Sequence, residues 1–542
     1  MTDDLGTPVK TPDGSGSSER LREEPASAVE RLREEPASAV ERLREEPASA
    51  VERLREEPAS AVERLREEPA STGAPKGVFL QTFGCQMNEY DSAKMLEMLR
   101  GTGYRVVGRP EEAELVLVNT CAIREKSEHK LDSLLGALAQ GAAGRPGRIL
   151  GVTGCVAQER GADLLKRARA VDLVLGTDNL FRLPEALRRV SQGERIAWTE
   201  WHPADRGLQP EGRRVRNFIP DIDPSGRASQ AGRLSEAPWL DAAGAPSVVA
   251  HLAITKGCDN FCSFCVVPYT RGREVCREPD DIAAEARRLV ARGVREITLL
   301  GQNVNSYRTG RTDFVGLLER LAGIAGLARL RYVSAHPKDF HARLARAHRD
   351  LAPLCEHLHL PVQSGSDAVL QAMRRRHTVR DYLERVACAR ERVPGLTVTT
   401  DMIVGFPGET EADFEATLDL MRTVRFDQVY AFKFSPRVQT PAAAYPGQVP
   451  EAVKAARLER LFALHEPIVK EQLAGRVGSQ QEVLAEGPAR APGAVTGRTR
   501  GNTQVIVPDC AAAPGTLIPV EIVGARRFGL VARPLPRPGE VA

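Results

Sequence analysis

The residues best placed to do chemistry are three cysteines in CDNFCSFC. Cys258, Cys262 and Cys265 are spaced C-x3-C-x2-C, directly after the strand-like run HLAITKGC. Three thiolates so close together can hold three irons of a cubane [4Fe–4S] cluster, leaving the fourth iron without a protein ligand. An iron left open in this way can bind a small molecule directly. A zinc site would want a fourth Cys or His at short spacing, and none follows. His251 precedes the group, but alternation along the strand gives it a packed position. Three further cysteines, Cys85, Cys121 and Cys155, close the apolar runs VFLQTFGC, LVLVNTC and ILGVTGC. A fourth run, LVLGTDN, ends in polar residues without a cysteine. Functional groups gather outside the carboxyl ends of strands in an open parallel sheet, so cysteines about 35 residues apart can converge on one spot. On spacing alone these three read as cluster ligands or as structural thiols. Cys355, Cys388 and Cys510 have no partner spacing and read as buried or incidental thiols.

Positioning these groups falls to a chain of 542 residues, 42% hydrophobic, long enough for two or three domains with sizeable cores. Lys and Arg number 75 against 72 Asp and Glu, a net charge of +3. That balance argues against a protein gripping nucleic acid over its whole surface, so any basic footprint must be local. The start, MTDDLGTPVKTPDGSGSSER, is polar and unlike a secretory signal, and no run of about 18 apolar residues could span a bilayer. The expectation is a soluble cytoplasmic protein without a membrane partner. Ten cysteines are too sparse for a disulfide scaffold; grouped in a reducing compartment, they point to metal or redox chemistry.

Residues 1–75 carry a repeat, ERLREEPASAV, that begins at Glu19 and recurs at Glu30, Glu41 and Glu52, with a truncated copy from Glu63. An eleven-residue period suits a right-handed coiled coil. Each copy, however, holds a proline (Pro25, Pro36, Pro47, Pro58, Pro69), at roughly 3 kcal/mol per helix interior. This stretch reads as a disordered, charged tail dispensable for chemistry. Residues 76–190 alternate strand-like and helical runs, an open parallel α/β domain, with Asp91 or Ser92 as N-cap and Gly101 as stop of the first helix. Residues 191–245, rich in Arg, Pro, Gly and Asp, read as a long connector. Six strand-like runs follow within 246–475: HLAITKGC, REITLLGQN, LRYVSAHP, HLHLPVQSGS, LTVTTDMIVGF and QVYAFKFSP. Helical stretches separate them, so they predict a partial (β/α)6 barrel whose rim is polar. Residues 476–536 hold short strands divided by Gly and Pro, a small β-barrel in which Arg498, Arg500, Arg526 and Arg527 outnumber the nearby acids.

With Phe264 before the last cysteine, C-x3-C-x2-C resembles the signature of the radical S-adenosylmethionine (SAM) superfamily. The resemblance implies a reduced [4Fe–4S] cluster that cleaves SAM to a 5′-deoxyadenosyl radical, with Phe264 near the adenine of SAM; otherwise it is a core aromatic. TFGCQMNEYDS, NTCAIREKSEHK and GVTGC resemble the N-terminal domain of the methylthiotransferases within that superfamily. There the corresponding cysteines ligate an auxiliary [4Fe–4S] cluster linked to sulfur donation. Carried over, Cys85, Cys121 and Cys155 become a second ligand set. GRTRGNTQVIVP is similar to the TRAM domain, an RNA-binding module, so the four barrel arginines become candidate phosphate contacts rather than a solvated basic surface.

The resemblance runs from residue 77 to about 535, across all three domains. GCQMN with EYDS, NTCAIREK, LLGQNVNSY and PYTRGREV are most like the bacterial enzymes that make 2-methylthio-N6-isopentenyladenosine at tRNA position 37. Relatives acting on threonylcarbamoyladenosine or on a ribosomal protein depart from these strings. The resemblance therefore implies methylthiolation at C2 of N6-isopentenyl (dimethylallyl) adenosine, with one SAM as methyl donor and another as radical source. It also implies a flavodoxin- or ferredoxin-type electron donor; a monomer is the expectation, though not one the resemblance carries. A non-catalytic iron–sulfur RNA-binding protein is the contrasting reading, but a purely structural cluster normally takes four protein ligands.

Several rim residues follow with less definite roles. Gln302 and Asn303 end the second strand, where related enzymes bind the amino-acid part of SAM. Gln363 and Ser364 end the fourth, and Asp401 with Gly405 lies on the fifth. Each reads as a SAM or substrate contact or as a loop residue. Arg271 and Arg273 in YTRGR suit a SAM carboxylate or tRNA phosphate, or are solvated arginines. His336 and His359 read as satisfied histidines. Cys276 stands where the family pattern leads one to expect serine, eleven residues beyond Cys265, and reads as a non-ligand.

Overall fold

The computed structural model describes residues 75–122, 125–142, 147–201, 240–241 and 244–536. The repeat tail, apart from residue 75, and most of the 191–245 connector lie outside the described residues.

The N-terminal part is a six-stranded sheet of order β2-β1-β3-β4-β5-β6. Its strands are β1 (Lys76–Phe83), β2 (Tyr104–Val106), β3 (Leu115–Thr120), β4 (Ile149–Gly154), β5 (Leu173–Leu175) and β6 (Ile196–Trp198). Every pairing is parallel. Helices cover both faces, which is why β3, LVLVNT, is buried along its whole length and shows no alternation. β6 falls inside the stretch read from sequence as connector; three residues, IAW, are too short for a period to register. The first helix, Gln86–Gly101, is entered through Cys85. Asp91 and Ser92 are therefore not its N-cap but lie buried in its second turn.

The central part keeps all six expected strands: Val249–Ala253, Glu296–Leu300, Arg329–Tyr332, His357–His359, Thr397–Val404 and Gln428–Lys433. They form two parallel three-stranded sheets. A bridge between Leu330 and Leu354 links the two across the middle. Helices between the strands bury one continuous apolar core against them. Two of these helices start with a capping box, Thr378 with Asp381 and Thr410 with Asp413.

The C-terminal five strands close into a barrel. It seats on the amino ends of the central strands. Arg329 donates to the carbonyls of Arg498 (2.6 Å) and Glu482 (2.9 Å), and Arg331 to those of Arg500 (2.6 Å) and Thr499 (2.9 Å). The opposite rim, at the carboxyl ends, faces the N-terminal sheet.

That second contact is made by buried ion pairs. Lys256, three residues past the first central strand, pairs with Asp178 of the LVLGTDN run. Asp91 pairs with Arg271 at 2.8 Å. Lys94 meets Glu285 at 2.7 Å, and Arg277 holds the other oxygen of Glu285 at 2.8 Å. Thr177 Oγ1 donates to the Thr270 carbonyl at 2.6 Å. The polar ending of LVLGTDN thus docks one domain on the other.

Breaking a buried pair leaves an uncompensated charge, so Asp178→Ala should cost about 3–5 kcal/mol in thermal or denaturant unfolding. Adding Lys256→Met should recover most of that loss, while removing the exposed Lys166–Asp163 pair should leave the transition nearly unchanged. An Asp178→Ala protein that melted like the parent would show that this pair does not hold the domains.

Candidate active site: two cysteine triads at one barrel mouth

The CDNFCSFC loop is held by backbone and by one neighbouring helix. Gly257 has φ +78, and a Cβ there would fall 2.0 Å from the Arg273 carbonyl oxygen, so only glycine fits before Cys258. Cys258 N donates to the Gly272 carbonyl at 3.1 Å, and Cys265 N to that of Cys262 at 3.0 Å. Ser263 is clamped between them: its N donates to the Met373 carbonyl (3.1 Å) and its Oγ to that of Ala372 (2.7 Å). Cys258 and Cys262 are buried and Cys265 half-buried. Burial pushes the Cys258 thiol up to about 11 and Cys265 to about 12. Thiols so disposed become thiolates when cations bind them, as an iron cluster would require. Among the described residues no three His, Cys, Asp or Glu close around a single ion position. Ligands that each bond a different iron of a cubane need no such convergence.

The residues around this loop separate into two kinds. Asn303 is buried and donates to Asp339 at 2.8 Å, but its Oδ1, like Gln302 Oε1, is a buried acceptor with no partner. Orphaned acceptors at a strand end suit a bound ammonium such as that of SAM. Phe264 packs half-buried against Val369, Met373, Phe406 and Phe434. Asp401 is partly open, with His359 Nε2 3.6 Å from its carboxylate and Tyr430 edge-on to His359. His359 Nδ1 is satisfied by Thr399 Oγ1 at 2.9 Å. Gln363 holds φ +80 and bridges to the fifth strand through its backbone.

Ser364, by contrast, is fully buried, its Oγ 3.3 Å from Thr417 Oγ1 and accepting from Ser366 N. It shapes the turn and is not a rim contact. His336 is buried and its Nδ1 accepts from Lys338 N, a satisfied histidine as expected. Cys276 pairs with Thr255 in a short two-stranded ribbon, and burial pushes its thiol up to about 11.

The second triad forms where β1, β3 and β4 end. Gly154 has φ +91, and a Cβ on it would lie 2.3 Å from Asn119 Oδ1, so glycine is needed immediately before Cys155. Beneath the cysteines runs a buried polar chain: Asn88 Nδ2 donates to Asn119 Oδ1 (2.9 Å), and Asn119 Nδ2 to the Asn88 carbonyl (2.9 Å) and Ser92 Oγ (2.9 Å). Cys85 Sγ bonds Asn88 Oδ1 at 3.4 Å. Cys121 hydrogen-bonds both other thiols, and that bond holds Cys85 down to about 6 and Cys155 to about 7. Burial opposes both shifts, and the Arg271 charge reinforces them. Cys121 itself is pushed well above the ordinary thiol range. Thiolate is the form a metal binds.

Arg271 is thus neither solvated nor on a phosphate path: 3% exposed, it lies beside Asp91, Cys85 and Cys155. Arg273, two residues on, is exposed and pairs with Asp259 at 2.6 Å.

The two triads share one loop. Val266, next to Cys265, packs in the same apolar cluster as Cys155 and Val156. Cys85 packs against the cluster that holds Ala253 and Leu300, where the first two central strands end, and Val333 past the third strand packs on the same cluster. Gly272, which accepts from Cys258 N, adjoins Arg271, whose charge acts on Cys85 and Cys155. Sequence reasoning found all six cysteines but missed Asn88, Asn119, Asp178 and Arg375. None of these stands at a spacing that signals a partner.

On the C-terminal barrel the four arginines part company. Arg500 is held by Glu356 (2.7 and 2.8 Å) and the Leu354 carbonyl, so it fastens the barrel to the central strands and is not available to RNA. Arg498 is partly exposed, 3.8 Å from Glu486. Arg526 and Arg527 are exposed beside Phe528 at a hairpin tip, Arg527 also meeting Glu466 at 3.0 Å.

Residues 252–421 match the model of the radical SAM superfamily, and residues 77–176 that of an uncharacterized protein family, UPF0004. The chain is 46% identical over 460 residues to a tRNA-2-methylthio-N(6)-dimethylallyladenosine synthase of Anaeromyxobacter dehalogenans (strain 2CP-C), covering 83% of this chain and 92% of that one. A synthase of the same name from Anaeromyxobacter sp. (strain K) is 45% identical over 459 residues, with the same coverage. Among solved structures, a radical SAM methyltransferase of Kitasatospora setae, with cobalamin and a [4Fe–4S] cluster bound, aligns over 68% of this chain and 77% of its own, at 15% identity and a TM-score of 0.48. With nearly half its residues shared over most of both sequences, the chain belongs to the radical SAM methylthiotransferase family alongside those two synthases.

Proposed function

We propose that the protein transfers a methylthio group to C2 of N6-dimethylallyladenosine at position 37 of tRNA. The observation that carries this reading is the placement of two three-cysteine sets on either side of the 266–273 loop, at the carboxyl ends of the central strands. The names of the two synthases support the substrate. A three-cysteine set leaves an iron open, which suits an active cluster better than a structural one.

Cys258, Cys262 and Cys265 would hold one [4Fe–4S] cluster, and Cys85, Cys121 and Cys155 a second. With SAM bound, the first would supply radical chemistry and the second would serve sulfur donation. The chain's own residues bind and orient. The free oxygens of Gln302 and Asn303 would accept from the SAM ammonium, and Phe264 would pack near its adenine. Gln363 sets the turn at the end of the fourth strand. Asp401, on a partly open face with His359 and Tyr430, would be a contact to SAM or to the substrate. An anticodon-loop nucleotide is already partly unstacked, so presenting it costs a few kcal/mol or less.

Arg526 and Arg527, with Arg498, suit phosphate contact, which positions the RNA without reading its sequence. In this reading a cytoplasmic monomer takes single electrons from a flavodoxin- or ferredoxin-type donor. Among the described residues no helix is long and apolar enough to cross a membrane.

Cys262→Ala should abolish formation of 5′-deoxyadenosine from SAM under dithionite. Replacing Cys85, Cys121 and Cys155 together by Ala should halve the iron content and end methylthiolation, while SAM cleavage persists. A triple variant that kept its full iron content would remove the second cluster from the account.

Mass spectrometry of tRNA nucleosides from cells lacking the gene should find the methylthio nucleoside gone and its unthiolated precursor accumulated. Loss of a methylthio form of threonylcarbamoyladenosine would move the target to that nucleoside, and an unchanged profile would point instead to a ribosomal protein or to a non-catalytic RNA-binding role.

A further inference from the structure

Arg375 is buried, 6% exposed, at the end of the helix Asp367–Ala372 that clamps the CDNFCSFC loop. Its two neighbours, Arg374 and Arg376, hold φ +59 and +51, a left-handed conformation that costs a side-chain-bearing residue roughly 1–2 kcal/mol. Two such residues in a row of three bend the chain, and Arg375 N bonds back to the Leu370 carbonyl at 2.9 Å. The result is that one arginine of the three turns inward.

Inside, its guanidinium donates to the Pro361 carbonyl at 2.7 Å and to Cys262 Sγ at 3.6 Å, while Nε has no partner. Among the described residues no carboxylate pairs with it. The nearby ring of His377 accepts or donates only at the Arg375 carbonyl, 3.0 Å away. Burial and the arginine's charge hold His336 and His377 below the ordinary histidine range, so neither adds charge there at neutral pH. A buried cation without a counter-ion is among the most expensive groups a protein can carry. The strained backbone puts it there, and the group it meets is the Cys262 sulfur, which becomes anionic when an iron cluster binds.

We propose that Arg375 is a positioning residue for the radical-generating centre: a built-in counter-charge, bonded to the Cys262 sulfur, that raises the reduction potential of the cluster held there. The inference rests on Cys258, Cys262 and Cys265 holding a [4Fe–4S] cluster. With three thiolates the oxidised cluster carries a net single negative charge. One electron, from the flavodoxin- or ferredoxin-type donor, makes it doubly negative, and no bond forms or breaks. A fixed cation nearby stabilises the added electron, and hydrogen bonds to the sulfurs act in the same direction.

The test is an EPR-monitored redox titration of the full-length reconstituted enzyme and of its Arg375→Gln and Arg375→Lys variants. The midpoint belonging to this centre is identified by the signal that SAM perturbs. Arg375→Gln keeps a donor near the sulfur but loses the charge. Its reduction equilibrium should fall tenfold or more, a downward shift of about 59 mV for a one-electron couple. The other midpoint should not move, and Arg375→Lys should recover part of the loss. A Gln variant with full iron content and the parental midpoint would overturn the inference alone. If Gln loses iron, the Lys variant decides: a midpoint nearer the parent's supports the inference, and one that has fallen by tenfold despite the retained charge overturns it. Parent enzyme without any SAM-perturbed signal would overturn the cluster reading, and the inference with it.

Discussion

The rest of the structure depends on one buried charge pairing between domains. Arg271, from the central part, reaches across to Asp91 on the first helix of the N-terminal part, and the same guanidinium lies beside two cysteines of the triad there. Lys256 with Asp178, and Lys94 with Glu285, repeat the arrangement on either side. Pairs of this kind add little net stability compared with well-packed apolar residues, because desolvation offsets much of their attraction. What they supply is direction. An apolar interface tolerates sliding, whereas a buried lysine unmatched by its aspartate is costly at every other register.

The two ends of the central strands serve different ends. At the amino ends, Arg329 and Arg331 grip backbone carbonyls of the C-terminal barrel, and Arg500 returns the contact to Glu356. At the carboxyl ends, the loop from Val266 to Arg273 is shared by both cysteine sets. The barrel therefore closes the bottom of the partial (β/α)6 unit and the N-terminal sheet approaches its mouth. Exposed Arg526 and Arg527 remain at a hairpin tip away from the docking contact with Glu356.

The cysteines and the six central strands were legible because their signals are local. C-x3-C-x2-C is a spacing, and a buried parallel strand is an apolar run of recognisable length. Long-range pairing leaves no such mark. Asp178 read as the polar end of a run, and only the fold brings it to Lys256. Asp91 looked like a helix cap because aspartate commonly is one; the chain begins its helix five residues earlier, and the carboxylate is used across the domain boundary instead. Arg500 and Arg498 are equivalent in sequence, yet one is held by a carboxylate and the other is partly open. Ser364 sits in a polar stretch at a strand end, as a ligand contact would, but the turn folds it inward onto Thr417. Arg375 was hidden among three consecutive arginines; its distinction is the backbone strain on both sides, which no composition reveals.

The claim that binds these observations is that both cysteine sets carry clusters and face each other at a constant separation. Pulsed dipolar EPR on the doubly reduced full-length enzyme tests it most directly. A single, narrow dipolar coupling between the two cluster signals, lost when Cys121 is replaced by Ala, is the predicted result. Two uncoupled signals, or a broad spread of couplings, would contradict a structure in which buried ion pairs hold the two centres in one register.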